Sequence, residues 1–392
     1  MPVGPGLRPD HCLRPRGALR GAALTFVFAG VLATAAVTGA LPRQAPEAAK
    51  PAGVAPARET VDRGALNRVA AEAMADGKSG KQAAEEFVSR SGDRWGAVYG
   101  PAEYEEFEQA LDGSYTGVGL SARKAGEGRV EISRVHPGGP AARAGLRPGD
   151  RLVTLDGRPV GGLPVSEVVS LLRGAGVPGS AVALGVERGR SAWTETLRRA
   201  RLAGEDVTVR RLDDGTVLIK VVAFTKGTGE RVRKAVRRAP AGAGILLDLR
   251  GNAGGLVSEA AVAASAFLDG GLVATYDVDG EQRAVYAQNG GDTARPVVAL
   301  IDGGTMSAAE LLTGALKDRG RAVTVGSRTF GKGAVQMPST LPDGSVAELT
   351  VGHYRTPAGH GVDGRGITPD LAVGERAEER ARTVLSGLGG GS

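Results

Sequence analysis

The chain has 392 residues, of which 42% are hydrophobic and 4% aromatic, with 62 glycines and a formal net charge of +6. This length allows two or three domains with sizeable cores. No block of Lys and Arg with interleaved aromatic residues occurs, so we do not expect nucleic-acid binding. A single cysteine, Cys12, excludes a disulfide framework and a Cys-based zinc site, and the four histidines lack metal-ligand spacing. We therefore expect neither a metal nor another cofactor.

The N-terminal residues 1–41 are typical of an export segment. Basic residues precede the uncharged apolar stretch 21–41, which is long enough to cross a bilayer. Thr38, Gly39 and Ala40 would serve as a cleavage site of small residues, so a removed signal peptide and a retained membrane anchor both remain open. In either case the positive-inside rule places the rest of the chain across the cytoplasmic membrane, either anchored or secreted.

The next two segments differ in composition. Residues 42–59 form a Pro/Ala-rich linker that is not expected to fold by itself. Residues 60–113 have helical patterning, and the last predicted helix begins at Pro101 and ends at Gly113. This helical region could form a homo-oligomer contact.

Residues 114–203 predict a small β-rich domain. Short β-like runs ("RVEISRV", "DRLVTLDG", "AVALGVERG" and "TETLRRARL") alternate with Gly/Pro turns around one helix, "PVSEVVSLLRGAG".

Residues 204–376 predict an α/β domain. The apolar runs "VLIKVVAF" and "AGILLDLRG" are typical of strands that are buried on both faces, and helical stretches alternate with them. We treat the remaining residues, 377–392, as a flexible tail.

The stretch "GGTMSAAELLTGALKDRG" within this domain allows two interpretations of Ser307. With Glu310 three positions later, Ser307 can be the first residue of a capping box. A serine behind a Gly-rich turn at a helix N-terminus is also where an attacking hydroxyl group would lie. The local sequence favours the cap.

The stretch "ILLDLRGNAGGL" predicts a strand followed by a Gly-rich turn that opens a helix. Such a turn presents free amides to an anion. A phosphate loop is the obvious alternative, but neither GxxxxGK[ST] nor GxGxxG is present. The other candidate is a transient oxyanion bound at Gly254 or Gly255.

The stretch "TFGKGAVQ" contains Lys332 between two glycines. A solvated surface lysine is the simpler interpretation, yet Gln336 follows four residues later and would share a strand face with it. A nucleophilic serine needs a base. His353 and His360 are candidates, although no GxSxG turn occurs; a buried lysine also serves if desolvation keeps it neutral.

Residues 114–203 resemble a PDZ domain of the bacterial-protease type. The resemblance rests on "YTGVGL" and on "VHPGGPAARAGLRPGDRLVTLDGRPV". It implies that the loop Gly117-Val118-Gly119-Leu120 binds the terminal carboxylate of a peptide, which adds as a strand beside it. Taken alone, "GVGL" is equally a plain Gly-rich turn.

The chain from Asp93 to Val373 resembles the carboxyl-terminal processing peptidases, also called tail-specific proteases. The resemblance is carried by "AVYGPAEYEEFEQALDGSYTGVG", "LDLRGNAGGL", "MSAAELLTGALKDRGRAVTVGSRTFGKGAVQ" and "YRTPAGHGVDGRGITPD". It implies an α/β fold: a ClpP/crotonase-like protease core with an inserted PDZ domain and an N-terminal helical segment. It further implies an ATP-independent serine endopeptidase that cuts exported proteins near their exposed C-termini.

The same resemblance implies roles for particular residues. Ser307 would be the nucleophile and Lys332 the general base, Gln336 would orient Lys332, and Asp318 would support the site or the fold. The oxyanion would be held by the amide of Ala308 with one from Gly254 or Gly255.

The chain departs from the family pattern before the helix, where "GGTMSAAE" replaces the usual "GSASASE". The position that matches the nucleophile is still serine, so these changes affect the expected substrate preference more than catalysis. They nevertheless motivate an alternative hypothesis, an exported PDZ scaffold that binds peptides and is catalytically inactive.

Overall fold

The computed structural model describes residues 61–278 and 281–389. Cys12, the apolar segment 21–41 and the whole of the linker 42–59 lie outside these residues, so the predictions about them stay predictions. Within the described ranges, no helix combines the length and the apolar character needed to cross a membrane.

The N-terminal region contains the predicted helices and one strand that the sequence analysis did not predict. Its elements are α1 (Arg63–Ala75), α2 (Gly80–Arg90), β1 (Ala97–Tyr99) and α3 (Pro101–Leu111). Asp62 caps α1 by accepting hydrogen bonds from two amides of the first turn, and Ser79 caps α2 by accepting one from the Gln82 N–H. Strand β1 joins this region to a sheet formed by the C-terminal half of the chain.

The β-rich region has its own sheet and its own hydrophobic core, as predicted. Its elements are β2 (Ser114–Gly117), β3 (Leu120–Lys124), a 3₁₀ turn (Gly126–Gly128), β4 (Val130–Val135), α4 (Pro140–Arg143), β5 (Arg151–Leu155), β6 (Arg158–Pro159), α5 (Val165–Arg173), β7 (Ala181–Arg188), β8 (Ser191–Arg198) and β9 (Ala200–Ala203). The sheet order is β3-β4-β5-β7-β8. Strand β3 is therefore an edge strand, and helix α5 contacts it.

The C-terminal half is an α/β domain. Its elements are β10 (Val207–Arg211), β11 (Val217–Val221), α6 (Thr228–Arg238), β12 (Ile245–Asp248), α7 (Val257–Ala264), β13 (Leu272–Val278), β14 (Glu281–Tyr286), β15 (Val297–Ile301), α8 (Ala308–Asp318), β16 (Val323–Gly326), β17 (Ala334–Thr340), β18 (Val346–Arg355), β19 (Leu371–Ala372) and α9 (Ala377–Gly389).

The central sheet of this domain has the order β10-β11-β12-β15-β16-β19, and every pair except β10–β11 is parallel. Strands β12 and β15 are buried along their whole length, which explains their uninterrupted apolar sequences. Ile245 and Leu247 pack with α6, α7 and α8, whereas Leu246 packs with α9 on the other face. The predicted α/β fold is confirmed.

A second sheet lies against helix α8. It has the order β1-β18-β13-β14, with β17 paired to β18. Helix α8 contacts β13 of this sheet and β16 of the central sheet, and the helix is buried from Ala308 to Leu316. Because the two sheets enclose the helix, Ser307, the residue immediately before it, lies inside the domain.

The prediction of a flexible tail over 377–392 is wrong for the described part of that segment. Residues Ala377–Gly389 form helix α9, in which Ala377, Ala381 and Leu385 are buried against the central sheet. The spacing of these three residues is helical, so the sequence contained the signal.

Candidate active site

Ser307 lies on a sharp turn between strand β15 and helix α8. Its backbone has φ 50° and ψ −118°, a combination that non-glycine residues rarely adopt. Such a conformation costs about 1–3 kcal/mol and is found mainly at functional sites. A strained strand-to-helix turn is also how other hydrolases present a nucleophilic serine. The hydroxyl of Tyr354 donates a 3.0 Å hydrogen bond to the Ser307 carbonyl and helps to hold this geometry.

Only half of the predicted capping box is formed. The Glu310 carboxylate accepts a 2.9 Å hydrogen bond from the Ser307 N–H. The Glu310 N–H, which would complete the box, donates instead to the Ser307 carbonyl at 2.8 Å, and no helix amide of the described chain donates to the Ser307 hydroxyl. The glutamate therefore performs the capping, and the serine hydroxyl is not committed to it.

Glu310 also fixes the segment that carries Lys332. One carboxylate oxygen accepts hydrogen bonds from the Thr329 hydroxyl at 2.6 Å and the Gly331 N–H at 2.7 Å. The other accepts from the Lys332 N–H at 2.8 Å as well as from Ser307. Burial raises the pKa of Glu310, and the four donors oppose that shift. A single buried carboxyl group thus brings the backbones of Ser307 and Lys332 within about two hydrogen-bond lengths of each other.

Lys332 is buried, and its amine has no hydrogen-bond partner among the residues that the structure describes. The side chain is 0% exposed, and Nζ lies 5.3 Å from the ring centroid of Trp95. Burial lowers the pKa of Lys332 to about 8, while the charges of Glu348 and Asp93 act in the opposite direction. Lys332 is therefore neutral far more often near physiological pH than an exposed lysine, as suits a general base.

Gln336 and Lys332 do not share a strand face, because Lys332 precedes β17 and a bulge lies between Val335 and Gln336. That part of the sequence reasoning is wrong, yet the two side chains meet at Trp95. Gln336 Nε2 donates a 2.6 Å hydrogen bond to the Trp95 carbonyl and contacts the Glu348 carbonyl at 3.5 Å.

The Gly-rich turn after β12 packs directly against Ser307. A Cβ atom added to Gly254 would lie 2.9 Å from Ser307 Cβ and 3.2 Å from the Ala308 nitrogen. The Gly254 N–H already donates to the Asn252 side chain at 2.9 Å. Within the described ranges, the N–H groups of Gly255 and Ala308 have no hydrogen-bond acceptor. These two amides are the ones available to an oxyanion.

Asp318 is not part of this cluster. It lies at the opposite end of α8, about 16 Å from Ser307 at the usual rise per residue. Its carboxylate accepts a 2.9 Å hydrogen bond from the Ala358 N–H and so ties a loop to the helix.

Neither candidate histidine bonds to Ser307: His353 lies 3.7 Å from Asp363, and His360 lies 4.0 Å from Asp318.

The predicted peptide-binding loop lies at the start of edge strand β3. The carbonyls of Val118 and Gly119 accept hydrogen bonds from the amides of Ala141 and His136, respectively. In the part of the chain that the structure describes, the N–H groups of Val118 and Gly119 have no acceptor. An edge strand with two free amides at one end and a helix alongside suits the addition of a peptide strand.

Four residues of the site were not found by sequence reasoning: Trp95, Asn252, Glu348 and Tyr354. Asn252 lies within the Gly-rich motif and could have been noticed there. Tyr354 begins the stretch "YRTPAGHGVDGRGITPD" and could have been noticed there. Trp95 and Glu348 lie in none of the quoted motifs, and no local pattern marks them.

These features define a class: an α/β protein with a strained serine, a buried lysine and two free amides, joined to a small β domain with a free edge. Residues 215–373 match the model of peptidase family S41, and residues 131–188 match that of a PDZ domain. Residues 215–373 therefore match an S41 peptidase domain, and the resemblance of the chain to the C-terminal processing peptidases is confirmed.

Two curated relatives illustrate the similarity. A probable CtpA-like serine protease of Staphylococcus saprophyticus is 30% identical over 313 residues, which cover 78% of this chain and 63% of the relative. A chloroplastic C-terminal processing peptidase of Tetradesmus obliquus is 35% identical over 295 residues, which cover 70% of this chain and 63% of the relative. The chain thus spans less than two thirds of the length of these relatives.

Among solved structures, a putative S41 protease from Bacteroides fragilis has 17% identity and a TM-score of 0.52 to this chain. The match covers 78% of this chain and 90% of that one. This structural similarity supports the α/β fold described above.

Proposed function

We propose that the protein is an exported, ATP-independent serine endopeptidase that cleaves protein substrates near their C-termini. The observation that carries this proposal is the pairing of a strained Ser307 with a buried Lys332 whose amine is unpartnered. Neither feature stabilises the fold, and together they supply a nucleophile and a base. The names of the relatives support the choice of C-terminal processing.

The chemistry follows from these groups. Neutral Lys332 accepts the proton of the Ser307 hydroxyl as Oγ attacks the scissile carbonyl carbon. The N–H groups of Ala308 and Gly255 bind the oxyanion that develops. The Lys332 ammonium then donates its proton to the leaving amine, and an acyl-enzyme remains. Water activated by Lys332 hydrolyses the ester and restores Ser307.

The PDZ domain would bind the substrate's C-terminal tail beside β3, with the carboxylate of the tail at the loop Gly117–Leu120.

The apolar N-terminal segment 21–41 supports export. N-terminal sequencing of protein recovered from outside the cytoplasm distinguishes a cleaved signal peptide from an anchor. Recovery of the protein only from the cytoplasm would contradict export.

The peptidase proposal is tested with an unstructured polypeptide that has an apolar C-terminus, prepared with a free carboxylate and as the amide. We expect Ser307→Ala and Lys332→Ala to lower kcat by at least about 10³-fold. Lys332→Arg should lower kcat in the same way, because a guanidinium does not lose its proton and so cannot act as the base. The exposed Lys226 provides the matched control, and Lys226→Ala should cleave normally.

Three outcomes would contradict the proposal or a part of it. Undiminished cleavage by Ser307→Ala would exclude Ser307 as the nucleophile. Failure of a fluorophosphonate to label Ser307 in a folded protein that binds the peptide would favour the inactive scaffold. Equal cleavage of the free acid and the amide would argue against recognition of the terminal carboxylate.

A further inference from the structure

Within residues 61–278 and 281–389, three buried polar atoms of neighbouring side chains have no hydrogen-bond partner. They are Lys332 Nζ, Gln336 Oε1 and Glu348 Oε2. Buried polar groups are nearly always paired, so an unpaired group calls for an explanation. The proposed mechanism uses the lysine as the base, and the family resemblance implies that the glutamine orients that lysine. The mechanism gives no role to Glu348.

Glu348 is held inside the domain by strand pairing on both sides. It lies on β18, opposite Ala97 of β1 and Pro338 of β17, and its side chain is 0% exposed. One carboxyl oxygen contacts the Tyr104 hydroxyl at 3.4 Å, and its backbone carbonyl contacts Gln336. The other oxygen has no donor. Burying a carboxylate in this way is costly unless a cation compensates for it.

Lys332 is the cation that acts on Glu348, and Glu348 is the leading negative charge that acts on Lys332. The two do not form an ion pair at contact distance. Their interaction is therefore through space in a poorly solvated region, where Coulomb forces are strong.

Other titratable groups surround the pair. Helix α3 contributes Tyr104 and Glu108, and β1 contributes Tyr99. Asp93 faces Lys332 from the segment before β1. Burial raises the pKa of Glu348 to about 7, close to the value of about 8 for Lys332. Because the charge of each group acts on the other, a change in the protonation of one affects the pKa of the other.

We propose that Glu348 is a positioning residue for Lys332. The buried carboxyl group of Glu348 stabilises the charged form of the lysine and thereby sets the lower pH limit of activity. This inference rests on the proposed function. When Glu348 is ionised, the lysine keeps its proton more tightly and is a poorer base. When Glu348 carries the proton, the lysine is free to be neutral.

The first test is the pH profile of kcat/KM for the full chain and its variants. Glu348→Gln keeps the shape of the side chain and removes its charge, so Lys332 should lose its proton more readily. We expect the acidic limb of the kcat/KM profile, where activity rises with pH, to shift to lower pH by about one unit. Glu348→Asp, which keeps the charge, should leave the limb near its original position.

The matched control is Glu108→Gln, which removes an exposed carboxylate facing the same group. It should leave the acid limb in place, because solvent screens that charge. If Glu348→Gln lowers kcat/KM equally at every pH, Glu348 has only a structural role and the inference is overturned.

A second readout does not depend on peptidase activity. The chain has nine lysines, so the ¹³Cε signals of isotope-labelled lysine can be followed in the Ser307→Ala protein. The Lys332 signal is assigned by its loss in Lys332→Met. We expect Glu348→Gln to lower the titration midpoint of Lys332 by about one unit.

The two readouts separate the two proposals. If the midpoint moves but the wild-type protein cleaves no substrate, the coupling is supported and the proposed function fails. If the wild-type protein cleaves substrate but neither the midpoint nor the acid limb moves, the role of Glu348 is overturned.

Discussion

Gly254 shows how one residue outside the helix determines the position of Ser307. It has φ +96°, and an added Cβ would lie 2.9 Å from both the Met306 carbonyl oxygen and Ser307 Cβ. Any side chain here would push the turn that carries the serine away from the amide of Gly255. The glycine is thus required by close approach as well as by backbone conformation.

We therefore expect Gly254→Ala to lower kcat/KM by about 10²-fold or more, because a displacement of about 1 Å at a catalytic group has that effect. Gly303→Ala, at a glycine of the preceding turn with no atom within 4 Å of the added Cβ, is the control and should retain activity. Steady-state kinetics on the two variants make the comparison. Full activity of Gly254→Ala would show that the turn adapts.

Sequence reasoning at the residue scale identified Ser307, Lys332, Gln336 and the Gly-rich turn, because each lies in a short motif. It gave Glu310 only a capping role, whereas the structure shows that its carboxylate also binds the Lys332 segment. Hydrogen bonds between residues more than 20 positions apart leave no periodic pattern in a sequence.

Helix α9 covers the face of the central sheet that lies opposite α6, α7 and α8. Leu385 is 4% exposed and packs in one cluster with Leu218, Leu246 and Leu300. Leu388, one turn later, is 47% exposed. The helix therefore completes the core of the α/β domain.

Leu385→Ala should lower the free energy of unfolding by about 2–4 kcal/mol, since it removes buried methyl groups and leaves a cavity. Leu388→Ala, the same change on the exposed side of the helix, should cost less than about 0.5 kcal/mol. Urea denaturation curves of both variants check the difference. Equal stability of the two would mean that α9 does not pack on the sheet in solution.

The N-terminal region and the α/β domain meet at the proposed base. The ring of the half-buried Trp95 lies against Lys332 Nζ, and its indole N–H donates to Asp363 at 3.2 Å. Asp93 accepts hydrogen bonds from the Thr350 amide and hydroxyl on β18. The helical region thus supplies one wall of the site, although it lies outside the segment matched to the S41 model.

Trp95→Ala should move the acid limb of kcat/KM up by at least about one pH unit. The lowering of the Lys332 pKa from 10.5 to about 8 corresponds to about 3 kcal/mol, most of it from burial. The lost contact between the ammonium and the ring is worth only about 0.5–2 kcal/mol in the opposite direction. Entry of water therefore dominates and favours the charged lysine, which is a poorer base at neutral pH.

The control for this prediction is Trp95→Phe, which keeps an aromatic ring over the amine and should leave the limb nearly unchanged. The pH dependence of cleavage by the three proteins gives the comparison. A downward shift in Trp95→Ala would show that the ring contact outweighs burial.

The sequence by itself determined the order of the regions, the α/β character of the C-terminal half and the candidate serine and lysine. Those properties depend on local patterns: apolar runs, turn residues and short motifs. Only the tertiary structure decided that Lys332 is buried without a partner, that Trp95 covers it and that Glu348 acts on it. Burial and through-space charge depend on residues that folding brings together from Asp93 to Asp363, and no local stretch of sequence contains that information.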